Sequence, residues 1–247
     1  VKFYEACLKK GIKPILGSVI RLNDAEHRAT LLAMSCKGWR NLTEIVSRGF
    51  IEGQQLSIPC VQKEWILEQS EDLIVLLGQH SDVGKMLCSS NPQKSEHLLE
   101  AWIEKFGNRV YLALTRTDRV GEEDFIQQAV KLAAKYQIGV VAHNDVHFVE
   151  QDDFEAHEAR VCIADGYVLG DDKRPKNYSS EQYFKTGEQM SELFSDIPSA
   201  IENTYHIAKR CNVALQLGTY FLPDFPIPDG YTIDTYFEHL SRTGLEE

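Results

Sequence analysis

An apolar run that breaks into metal-ligand side chains is the feature best suited to chemistry: Val140-Val141-Ala142-His143-Asn144-Asp145-Val146-His147-Phe148. In an extended chain Asp145 and His147, two residues apart, point to the same side, so a carboxylate and an imidazole could converge on one cation. The carboxyl end of a barrel strand is where active sites are built. The same residues also fit a turn capped by Asp145 with His147 at the surface.

The other clusters point less clearly to chemistry. His157 and Glu158 fall on an expected helix opened by Asp152 and Asp153, with Glu155 at capping-box spacing from Asp152. His157 shares a face with Phe154 and Val161, the pattern of a packed, hydrogen-bonded histidine. His27, His80, His97, His206 and His239 each lack a partner at ligand spacing. Asp171-Asp172 suggests paired-carboxylate chemistry, but its neighbours Lys173 and Arg174 favour ion pairing or solvation. Lys173, Arg174 and Lys176 form a basic cluster that could touch a phosphate backbone, although so short a charge run is usually a solvated loop. The sequence has no glycine-rich phosphate loop, nucleophile elbow or paired-thiol motif.

The segments that must position these groups alternate between two periods. Residues Ile12 to Ile20, Ala29 to Ala33, Asp72 to Leu77, Val110 to Leu114 and Ile138 to Ala142 are apolar runs of strand length, several nearly continuous, as when both sheet faces are covered. Between them, Trp39, Leu42, Val46 and Phe50 recur at helical spacing, as do Leu98, Leu99, Trp102, Ile103 and Phe106, and Phe125, Ala129, Leu132, Ala133 and Tyr136. This β-α-β-α series predicts a parallel sheet, either open and doubly wound or closed into a barrel. Further helices are expected around Ser180 to Phe184, Glu188 to Phe194, from Pro198, and from Thr232 to Leu240. The proline-rich run Leu222 to Gly230 reads as a connector.

The 247 residues are 43% hydrophobic and 26% charged, the balance of an ordinary globular protein, and long enough for one large α/β domain. A formal net charge of −11 argues against broad binding of nucleic acid by this piece, because neutralising phosphates takes clustered Lys and Arg. The six dispersed cysteines read as reduced thiols of a cytoplasmic protein. No apolar run approaches the roughly 20 residues of a membrane span. The start at Val1 lacks an initiator methionine, and the chain is expected to be truncated there.

Several stretches together resemble one family, the alpha subunit of bacterial DNA polymerase III, in its polymerase and histidinol phosphatase (PHP) domain. They are Val1 to Tyr4, Gly11-Ile12-Lys13-Pro14-Ile15-Leu16-Gly17, Gly38-Trp39-Arg40-Asn41-Leu42, Val141 to Phe148, Asp171 to Tyr183, Ile207 to Val213, and Phe221-Leu222-Pro223-Asp224-Phe225-Pro226. The resemblance implies an α/β fold: a distorted (β/α)7 barrel lacking its first strands over 1–170, the helical end of the PHP domain over 171–218, and a connector toward the polymerase palm over 219–247. For the parent chain it implies DNA-directed DNA polymerase activity with magnesium at aspartates beyond Glu247.

The resemblance also implies a trinuclear metal cluster, partly built on a His-x-His motif and an aspartate of the absent strands. Here the pattern departs: Val19 stands where a glutamate is expected, Arg28 where a histidine is, with His27 one residue out of place, and Thr117 at the next expected histidine. Only Asp145 and His147 match. Zinc or manganese is therefore expected only if the site is intact, and no cofactor is expected in this fragment. The reading is a degenerate, non-catalytic PHP scaffold that docks the proofreading exonuclease subunit and meets other replicase subunits and DNA through the parent chain. The alternative is a metal-dependent phosphoesterase or 3'-5' exonuclease.

Overall fold

The structure, a computed structural model, describes residues 1–22, 26–89, 92–220 and 222–246, with only the backbone of Pro92. Phe221 and Glu247, used in the sequence reading, lie outside the described residues. The described chain falls into two compact units, Val1–Ala214 and Leu215–Glu247.

The first unit opens with α1 (Lys2–Lys9), followed by β1 (Gly17–Leu22) and β2 (His27–Ala33). The expected strand from Ile12 starts five residues later. Next comes α2 (Cys36–Ile51), whose N-terminus is capped by Ser35: its Oγ accepts the Lys37 and Gly38 amides and donates to Asp72 at 2.6 Å. A short hairpin, β3 (Gln54–Gln55) and β4 (Ile58–Pro59), precedes α3 (Lys63–Glu68). Then follow β5 (Leu73–Leu77), α4 (Asp82–Leu87), α5 (Pro92–Phe106), β6 (Val110–Thr115), α6 (Glu122–Tyr136) and β7 (Gly139–His143). Three further helices, α7 (Phe154–Asp165), α8 (Gly187–Leu193) and α9 (Pro198–Arg210), complete the unit.

The main sheet has the order β1-β2-β5-β6-β7 and is open. The alternating pattern predicted a parallel sheet, and the structure corrects this: only part of it is parallel. β1 pairs antiparallel with β2, and β2 with β5, while β5, β6 and β7 run parallel. The four residues between Leu22 and His27 permit only a hairpin, whereas a parallel pair needs a crossover of a dozen or more residues. Both faces are covered at the sheet's centre, so all five residues of β5 are buried.

On one face Ile74, Leu76, Tyr111, Ala113 and Val141 pack with Ile207 of α9 and with Cys211. The alternate residues Leu73, Val75, Leu77, Leu112, Leu114, Val140 and Ala142 are also buried. α2, α5 and α6 lie against these strands and contribute Leu42, Trp102, Phe106 and Phe125 to the core. The ends of the unit meet: Lys13 Nζ donates to the Ala208 carbonyl and to Asn212 Oδ1, both at 2.7 Å, and the Asn212 amide donates to the Met34 carbonyl.

Two local expectations are corrected. Residues 180–184 form a turn and a bridge instead of a helix, because their backbone pairs with the segment after β7: the His147 amide donates to the Gln182 carbonyl and Phe184 to Val149. The turn before α7 is closed by a capping box of Glu150 and Asp153, one bond being the Glu150 amide to Asp153 at 3.0 Å, and not by Asp152 with Glu155.

In the second unit α10 (Ile233–Glu246) follows the proline-rich segment, with Thr232 Oγ1 accepting the Thr235 amide. Tyr236 of this helix meets Tyr231 and Phe225, while Ile233, Phe237 and Leu245 are exposed.

Candidate functional site

The carboxyl ends of the parallel strands β6 and β7 lie side by side, with Thr115 in register with His143. The chain leaving each strand therefore delivers its side chains to one place, the location where open α/β sheets and barrels build sites. β6 delivers Thr117 and Arg119. β7 delivers His143, Asn144, Asp145 and His147.

Asp145 adopts a positive φ of 48°, a conformation that aspartate tolerates better than most side chains. Its amide donates to His143 Nδ1 at 3.2 Å. Its carboxylate is engaged from several sides: Oδ2 accepts from Gln182 Nε2 at 3.0 Å and lies 3.0 Å from Arg119 Nη2, while Oδ1 is 3.6 Å from His147 Nε2. The adjacent His147 imidazole first, and then the Arg119 charge, hold this carboxyl well below its usual range against the opposing effect of burial. Asp145 and His147 thus lie near one another, but through a left-handed turn at Asp145 and not through the extended chain on which the expectation rested.

Arg119 has a second anchor. Its Nε donates to Thr117 Oγ1 at 3.0 Å and to Glu122 Oε1 at 3.3 Å. Glu122, buried in the first turn of α6, accepts both the Thr117 amide and the Thr117 hydroxyl at 2.6 Å. A carboxylate at a helix N-terminus that gathers these donors is well satisfied without further partners.

His147 packs among aromatic rings, edge-on to Tyr178 at 4.8 Å and tilted against His157 at 5.3 Å between centroids. His157 is buried, as its helical face predicted, but it is hydrogen-bonded at one nitrogen only. Nδ1 lies 3.2 Å from Arg160, and Nε2 has no hydrogen-bond partner among the described residues. Burial first, then the charges of His147 and Arg160, push its imidazole below the ordinary value.

The basic cluster divides. Arg174 is turned inward, bonded to the buried Glu158 and to the Leu169 carbonyl, whereas Lys173 and Lys176 are exposed. Asp171 accepts the Lys173 amide in a local turn.

Sequence reasoning found Asp145 and His147 but missed Arg119, Glu122 and Gln182. The one available signal was position: Arg119 lies just past the end of an apolar strand.

The donors do not fit the metal cluster that the family pattern implies. Among the described residues no three His, Cys, Asp or Glu side chains are placed to share a metal, where a stable centre generally wants three or four protein ligands. Val19 is an apolar side chain, 61% exposed, on the sheet face that also carries Arg28. Thr117, at another expected ligand position, spends its hydroxyl on Glu122.

Residues 1–117 match the PHP domain. Beyond that segment the similarity continues to the end of the chain. DNA polymerase III subunit alpha of Pseudomonas fluorescens is 48% identical over 253 aligned residues, covering 100% of this chain and 22% of the relative. The same subunit of Pseudomonas aeruginosa is also 48% identical, and that of Escherichia coli 44%, each with the same coverage. The chain spans about a fifth of the length of the curated relatives it matches. The PHP match covers β1 through β6 as far as Thr117, and β7 with Asp145 lies past it. No helix among the described residues is long and apolar enough to cross a membrane.

Proposed function

We propose that this chain is the PHP portion of a replicative DNA polymerase, in which the complete polypeptide transfers deoxynucleotides to a primer end with magnesium at aspartates outside these 247 residues. The observation that carries the reading is similarity to DNA polymerase III subunit alpha along the entire chain. On this reading residues 1–170 are the portion of a distorted (β/α)7 PHP barrel that lacks its first strands, 171–218 its helical end, and 219–247 the connector toward the polymerase domain. The protein works in the cytoplasm beside the other replicase subunits and DNA.

Within that assembly the chain serves as a non-catalytic scaffold that docks the proofreading exonuclease subunit. The support for the non-catalytic role is chemical: one oxygen of the Asp145 carboxylate is already bonded to an arginine and an amide, and the arginine's charge opposes a second cation beside it. The competing phosphoesterase reading would need a cation drawn to Asp145 Oδ1 against the positive charge of the neighbouring Arg119 guanidinium.

Mixing the purified chain with the exonuclease subunit of the same organism tests the scaffold. A one-to-one complex in sedimentation or size-exclusion experiments is expected. Absence of a complex with both this chain and the longer polymerase subunit would remove the docking role. Metal-dependent hydrolysis of a phosphodiester, lost in Asp145→Ala, would replace the scaffold reading with the enzymatic one.

A further inference from the structure

The mismatch between the family's metal cluster and these donors has a specific occupant. We infer that the Arg119 guanidinium is the fixed internal cation of this site, holding together the loops that a bound metal would otherwise join. The inference rests on the scaffold reading and adds the residue that keeps the scaffold assembled.

Three separate segments converge on this side chain or its immediate partners. Arg119 itself comes from the β6–α6 connection, where it meets Glu122 and Thr117. Across the sheet it reaches Asp145 in the segment after β7, at 3.0 Å. Gln182, from the stretch before α8, binds the same carboxylate oxygen and also the Asp145 carbonyl, at 3.0 and 3.2 Å. Ser179 of that stretch donates its hydroxyl to the Thr117 carbonyl and closes the ring.

The geometry suits a guanidinium better than an ammonium. Nε and Nη2 point to different acceptors, one at the start of α6 and one in the segment after β7, a fork that a lysine nitrogen cannot reproduce from one point. The arginine side chain is 21% exposed, so the pairing is screened less than a surface ion pair. The two carboxylates it bridges would otherwise add unbalanced negative charge to a molecule of net charge −11. A permanent cation removes that repulsion at every metal concentration, where a dissociable ion would do so only when bound.

The test is a double-mutant cycle on the whole chain, with urea unfolding as the readout. Arg119→Gln and Asp145→Asn are measured singly and together, and Arg119→Lys serves as the charge-conserving variant. Lys176→Gln combined with Asp145→Asn is the control for non-interacting sites. Coupling between Arg119 and Asp145 of about tenfold or more in the folding equilibrium is expected, with additivity in the control pair. Arg119→Lys should recover only part of the loss. If Arg119→Gln fails to fold, Arg119→Lys takes its place in the cycle, and if Asp145→Asn fails to fold, Asp145→Glu takes its place. Additive effects of Arg119 and Asp145 would overturn the inference while leaving the scaffold reading intact. Stoichiometric zinc or manganese in the wild-type chain, lost on Asp145→Asn, would overturn both.

Discussion

Lys63 Nζ lies 2.7 Å from Asp82 Oδ2, with the two side chains only 12% and 13% exposed. The lysine also donates to the Leu98 carbonyl at 3.1 Å, and Asp82 accepts from Trp102 Nε1. The pair thus ties α3 and α4 to α5. Removing one member leaves a buried charge, which costs about 3–5 kcal/mol in such settings. Lys63→Met should therefore lower the urea midpoint sharply, and Lys63→Met with Asp82→Leu should regain much of it. Equal loss in the single and double variants would show that the pair is not an energetic unit.

A Cβ added to Gly38 would sit 2.0 Å from the Asp72 carbonyl oxygen, so α2 can lie this close to the entry of β5 only with glycine there. Gly38→Ala should destabilise by about 1–3 kcal/mol or more, since forcing atoms into a packed contact shifts backbone. Gly170→Ala, where a Cβ meets nothing within 4 Å, is the matched control and should show no steric loss in the same thermal melts.

Arg116 reaches Glu123 at 2.7 Å and Asp196 at 2.6 Å and donates to the Leu193 carbonyl, clamping α8 and the start of α9 to the end of β6. The arginine holds the Asp196 carboxyl below its ordinary value. Because the folded-state value is the lower one, the unfolded chain binds the proton more readily, and the stabilisation is present above the ordinary value of 3.8 and lost as pH falls through the folded one. Asp196 is half exposed, so the effect is modest and weakened by salt. The stability difference between the wild type and Asp196→Asn should be larger at neutral pH than in acid. A difference that grows on acidification would contradict the clamp.

Arg174→Met should destabilise the chain, because it strands the buried Glu158 carboxylate, whereas Lys176→Met should leave the midpoint unchanged. Adding Glu158→Leu to Arg174→Met should recover stability. If the Arg174 variant unfolds like wild type, its ion pair is not what holds the 171–178 segment against α7.

Much of the sheet was legible because its central strands announce themselves. β5, β6 and β7 are continuous apolar runs with helices on either side, and each emerged within a residue or so of the expected bounds. The strand directions were harder to read. Whether β2 runs with or against β5 depends on pairings 40 to 46 residues apart that no local period encodes. The expected helix at 180–184 failed for a related reason: local spacing competed with backbone bonds to Val149 and His147, and the sheet-like pairing prevailed.

The candidate site was half legible for the same cause. Asp145 and His147 stood out as ligand types two residues apart, although the left-handed turn that sets their approach was not legible. Arg119 and Gln182 meet Asp145 from 26 and 37 positions away, and their role exists only once the strands are aligned.

The contacts of Lys13 with Ala208 and Asn212 have a bearing on synthesis. A chain emerging from the ribosome exposes α1, the hairpin and the central strands long before it supplies α9, whose Ile207 covers Ile74, Leu76 and Tyr111. At roughly 5–20 residues per second, that apolar face waits for many seconds, first without its parallel partners and then without its cover. The nascent chain is most exposed to aggregation or chaperone capture during that interval, and its first unit can close only after residue 212 has left the exit tunnel.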